Sequence, residues 1–69
     1  MKRDRLRALS REFGDHTVIE VAQGLKTYSA IQMPEEHKKE IRVLFCQIFE
    51  VPDMKDVPIK EMYETLQPE

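Results

Sequence analysis

Cysteine and glycine are scarce here: the 69 residues hold one cysteine, Cys46, and two glycines, Gly14 and Gly24. A lone thiol forms no intrachain disulfide. Together with His16 and His37 it has none of the spacings of a structural zinc site. Two isolated glycines build no glycine-rich loop of the kind that cradles phosphates. Long apolar runs are missing as well. None reaches the length of a membrane span, and the basic start is not followed by the apolar core of a signal peptide. The expectation is a single small domain over residues 1–69, cytoplasmic, with a reduced thiol. A chain this short sits near the lower size limit for folding alone. Helix packing must supply its stability, and association with a second copy, as a homodimer, is expected.

What is abundant is charge, and it is unevenly placed. The formal net charge is −2, with 35% of residues charged. Residues 1–13 carry five basic and two acidic side chains, for +3. Residues 14–33 have one basic and two acidic side chains, for −1, and residues 34–69 have five and nine, for −4. A protein held on DNA mainly by phosphate contacts is usually more basic than this.

The clearest element is Pro34–Val51, PEEHKKEIRVLFCQIFEV, whose helical part should cover about residues 34–50. At 100° per residue Ile41, Leu44, Phe45 and Ile48 make one stripe, with Phe49 and Val51 on its edges. Pro34 suits a first helical turn, Glu35 and Glu36 favour the positive end of the helix dipole, and Glu35 can pair with Lys39. Residues 4–13 form an amphipathic helix with Leu6, Leu9 and Phe13 on one face, closed by Gly14 in a left-handed turn. On its flank Arg3, Arg7 and Arg11 repeat every four residues and make a charged contact ridge. Such runs are commonly just a solvated face.

Residues 17–31 admit two readings. As helix, Thr17 is an N-cap, Glu20 completes a capping box, and Val18, Val21, Ala22 and Leu25 form the buried stripe. A short helix starting near Ser29 then precedes Pro34. As strands, TVIEVA and LKTYSAI flank Gln23-Gly24 as a β-hairpin, favoured by the β-branched residues Thr17, Val18, Ile19 and Val21. Gln-Gly is a poor primed turn, so the helical reading is preferred. After Val51-Pro52, an extended exit by the pre-proline restriction, a tight connector leads to a last helix whose stripe is Ile59, Met62, Tyr63 and Leu66. The fold class is therefore mostly α, a small bundle of four to five helices, with an α+β fold as the alternative.

No catalytic constellation stands out, and no enzyme, cofactor or metal is expected. Cys46 lies at the margin of the apolar stripe, where a structural, partly buried thiol is expected rather than a nucleophile. His37 projects onto the stripe as a packing residue. Val43 lies opposite the stripe, beside Gln47. An isolated exposed valine is ordinary. Yet Ile19, Tyr28, Ile31, Met33 and Met54 add more bulk than so small a domain is expected to bury. Tyr28, Ile31, Met33, Val43 and Gln47 are accordingly the expected partner or dimer interface.

RLRALSREFG followed by Thr17-Val-Ile-Glu20-Val21-Ala22-Gln-Gly-Leu25 resembles the first two helices of the Cro and C1 repressor-type helix-turn-helix domains. Those read as a basic amphipathic helix and then Thr-x-x-Glu-Leu-Ala-x-x-Leu. Ser29-Ala-Ile-Gln32 is similar to the start of their recognition helix, and IFEVPDMKDV resembles their closing helix and connector. The resemblance implies a helix-turn-helix-like bundle and a regulator of phage or plasmid type. It would set Thr27, Tyr28, Ser29 and Gln32 against the major groove, with Lys26 near phosphate. That segment holds no arginine, the commonest guanine reader, and Glu35 and Glu36 follow it at once.

Two functions follow. The favoured one is a small non-enzymatic regulator that binds another protein, such as a host transcription regulator, and inhibits or modulates it. Its Arg3, Arg7 and Arg11 would meet acidic groups of that partner. The alternative is a dimeric DNA-binding transcriptional repressor that acts by occupying an operator. The acidic balance and the missing arginine readers weigh against DNA; the overall pattern and length weigh for it.

Overall fold

Gly14 is the whole of the connection between the first two helices, α1 (Lys2–Phe13) and α2 (Asp15–Ala22). Its backbone lies at φ 95°, ψ 143°, a region open almost solely to glycine. There its N–H donates to the Ser10 carbonyl at 2.7 Å and its own carbonyl accepts the Val18 N–H at 3.1 Å. The Ser10 hydroxyl donates to the Asp15 carboxylate across the joint. The sequence placed glycine correctly at this helix end, but the conformation is more extended than a left-handed turn. The computed structural model that shows this describes residues 1–67.

Because the joint is so short, α2 begins two residues ahead of Thr17, which is buried rather than an N-cap. The helix ends in a Schellman motif at Gly24, φ 77°. The Leu25 N–H donates to the Glu20 carbonyl and the Gly24 N–H to that of Val21, both at 3.0 Å. Residues 17–31 thus form helix, turn and helix, and no strand occurs among the described residues. The hairpin alternative is excluded. Glu20 makes no capping box either; its carboxylate accepts the Thr27 hydroxyl at 2.8 Å.

Thr27 in turn caps α3 (Tyr28–Gln32), accepting the Ala30 N–H at 3.3 Å on the same oxygen. Met33 leaves α3 extended, as the residue before a proline must. Pro34 stands one residue outside α4 (Glu35–Phe49), with its carbonyl accepting the N–H groups of His37 and Lys38. Glu35 pairs with Lys38 at 3.0 Å, not with Lys39. The far end of α4 closes on Glu50, a left-handed non-glycine at φ 55°. A 3₁₀ turn, Met54–Asp56, capped by the Asp53 carboxylate, leads to α5 (Ile59–Leu66).

The outcome is a five-helix, mostly α bundle. Leu6 and Leu9 of α1, Val18, Ile19 and Val21 of α2, and Ile41 and Phe45 of α4 meet at its centre. Met62 and Leu66 of α5, with Val57 before it, close the open side. The radius of gyration, 10.7 Å, matches the ~11 Å expected for a compact domain of this length. Two stripe residues fall outside the core. Leu25 lies beyond the end of α2 and Ile59 at the first position of α5, both about half exposed. No helix among the described residues is long and apolar enough to cross a membrane.

Candidate functional site

Five residues is a short helix, and α3 is held at both ends by contacts that fix its orientation. Thr27 anchors its start through Glu20 and Ala30, while Ala30 and Met33 are buried beneath it. What remains outside is apolar. Tyr28 is 78% exposed, Ile31 60%, and Leu25, in the preceding turn, 48%. Tyr28 and Ile31 are three residues apart on one helix and so share a face. A helix anchored at both ends that displays an aromatic and an aliphatic side chain offers an apolar contact surface of the kind found at protein interfaces.

Met33 does not belong to that surface. At 3% exposure it is part of the core, because the turn into Pro34 folds it beneath α3. Ile19 is buried likewise and Met54 half-buried, so the excess of bulky residues is smaller than their count suggested. Val43 and Gln47 are exposed on α4, as expected, among the exposed Glu36, Lys39 and Glu50. By helical periodicity these five occupy one arc, so Val43 is a single apolar side chain on a polar face.

Lys26, Ser29 and Gln32 are exposed, whereas Thr27 is half-buried and engaged on both sides of its hydroxyl. Ser29 and Gln32 line a hollow of about 300 Å³ that they share with Glu12 and Phe13 of α1. A carboxylate in that hollow repels phosphate.

The arginine ridge is not uniform. Arg3 and Arg11 are exposed. Arg7 lies between them with a side chain only 21% exposed, 3.8 Å from the Asp4 carboxylate. Its Nε is buried and finds no hydrogen-bond partner among the described residues. Arg3 also borders a hollow that contains Glu61 and Glu64 of α5, which offset its charge.

Other polar contacts hold the frame. Arg5 donates from Nε and Nη2 to the two oxygens of Glu40, at 2.7 and 3.1 Å, joining α1 to α4. That hydrogen-bonded guanidinium holds the Glu40 carboxyl below its ordinary range, against an opposing effect of desolvation. His37 packs its ring 5.5 Å from that of Phe13, the packing role expected of it. The Tyr63 hydroxyl meets His16 Nδ1 at 3.3 Å, joining α5 to α2. Cys46 is a half-buried free thiol. No group of three or more His, Cys, Asp or Glu side chains that could hold a metal ion occurs among the described residues.

Comparison with protein-family models, with characterised proteins and with solved structures gives no significant match.

Proposed function

We propose that this chain is a small non-enzymatic regulator that binds another protein through α3 and the turn before it, and inhibits or modulates that protein by covering it. The observation that carries this reading is the exposure of Leu25, Tyr28 and Ile31 on a helix fixed from below by Thr27, Ala30 and Met33. Tyrosine is enriched among the residues that dominate binding energy at protein interfaces. The repressor-like order of the first helices supports transcription control as the setting. Arg3 and Arg11 would add peripheral pairing with acidic groups, which acts on association rate and orientation more than on affinity.

A photo-crosslinking amino acid in place of Tyr28, introduced in cells that make the protein, tests it. The expected product is a covalent adduct with a second protein of the transcription apparatus, lost in the Ile31→Asp background. Adducts with copies of the chain alone would show a homodimer seam instead, and the absence of any protein adduct would sink the reading.

The second reading, a dimeric operator-binding repressor, is favoured by the exposure of Lys26, Ser29 and Gln32 next to the α2–α3 turn. It requires duplex DNA binding that weakens steeply with salt. The Glu12 carboxylate in the hollow beside Ser29 and Gln32, and the net charge of −2, weigh against it.

A further inference from the structure

Of the half-buried lysines and arginines, Arg7 has Asp4 at 3.8 Å and Lys38 has Glu35 at 3.0 Å. Arg42 is different. It is half-buried on α4, and among the described residues no carboxylate comes within ion-pair distance of it. It borders a groove of about 490 Å³ between the end of α2, the 3₁₀ turn and the start of α5. The apolar part of the groove is Ala22, Met54, Val57, Ile59 and Met62. Val57 and Met62 are buried, whereas Met54 is half-buried and Ile59 about half exposed. Lys55 adds a second unpaired cation at the rim. The one carboxylate there, Asp53, already accepts the Lys55 backbone N–H at 3.1 Å.

A half-buried arginine without an ion pair, in a chain with more acids than bases, keeps its charged head available to a carboxylate of another molecule. A planar fork of donors suits a carboxylate. Two methionines in the lining add adaptability, because their unbranched side chains reshape around an inserted group. We propose that this groove is a docking site for a partner protein's segment, which inserts one bulky aliphatic side chain between Met54 and Ile59 and sets an adjacent Asp or Glu against Arg42 and Lys55. The inference deepens the protein-binding reading above and rests on it. Gln23 and Gly24 line the groove and lead directly into Leu25. The groove therefore borders the turn that leads into α3.

The test is selection of a random-peptide display library on the immobilised full chain, followed by amide chemical-shift mapping with the enriched consensus peptide. The expected consensus places Leu, Ile or Met beside Asp or Glu. Its binding should shift the amides of Gly24, Lys55 and Ile59. Arg42→Glu should weaken it by about tenfold or more, and Arg42→Lys, which keeps the charge but loses the planar fork, should weaken it by less than Arg42→Glu. Lys55→Glu changes an exposed side chain and should weaken binding without touching the fold, which guards against misfolding of the Arg42 variant. Enriched peptides without acidic residues would overturn the proposal. So would shifts confined to Leu25, Tyr28 and Ile31, an outcome that leaves the α3 reading standing. Failure to enrich any peptide above the bare support also overturns it, while the cross-link from position 28 decides the broader reading separately.

Discussion

Glu50 is the one non-glycine among the described residues with a positive φ, at 55° with ψ 46°. A side chain in that region costs about 1 kcal/mol or more, which glycine avoids. Glu50→Gly should therefore stabilise the protein by roughly 0.5–1 kcal/mol, after allowing for the added freedom of the unfolded chain. A shift of the urea midpoint to higher concentration with an unchanged slope would verify it; a lower midpoint would refute it. Thr27 predicts the opposite sign. Its single oxygen both caps Ala30 and donates to Glu20. Thr27→Val keeps the shape and loses both bonds, so a cost of about 1–2 kcal/mol is expected. The α3 amides should lose hydrogen-exchange protection in the same variant.

Individual elements differ in how far the chain announces them. The stripe Ile41, Leu44, Phe45 and Ile48 was enough to place α4, since a long regular period survives small errors at its ends. Around α2 the same logic slipped. Thr17 and Glu20 have capping-box spacing, but a one-residue joint at Gly14 had already started the helix. Leu25 kept the period although Gly24 ends the helix before it, and period alone cannot see a chain reversal. Met33 looked surplus because its burial depends on how Pro34 turns the chain beneath α3. Tyr28 and Ile31 were legible as surface candidates. The Arg42 groove was not, since it joins segments distant in sequence. Between elements, the Arg5–Glu40 fork makes a testable link. Glu40 is held below its ordinary value of 4.5, so its contribution is complete above that value and is lost as pH falls through the lowered one. Glu40→Gln should be less stable than wild type at neutral pH, and the gap should narrow as pH falls below the ordinary carboxylate range. Urea midpoints measured across that range decide it, and a pH-independent gap would contradict the assignment.

At the scale of the whole molecule, stability is thin. A domain of this size holds roughly 3–10 kcal/mol. Phe45 is fully buried where α1, α2 and α4 converge, and it stacks with Phe49 at 6.4 Å between ring centroids. Truncating such a side chain typically removes about 3–5 kcal/mol. Phe45→Ala should therefore remove a large part of the stability, seen as a melting temperature far below that of wild type. A cooperative melt near that of wild type would mean that the core is shared more widely than its geometry implies.

The joint at Gly14 has a dynamic consequence. Its amide closes α1 and its carbonyl opens α2, with no residue of slack between them. Neither helix can fray at this end without disturbing the other, so residues 2–22 should open and close as one cooperative unit, a single foldon. Exchange rates of the Ser10–Val18 amides measured under native conditions should then converge on one opening free energy as denaturant rises. Because Thr27 hydrogen-bonds Glu20 of that unit, any load placed on α3 would be passed to both helices together.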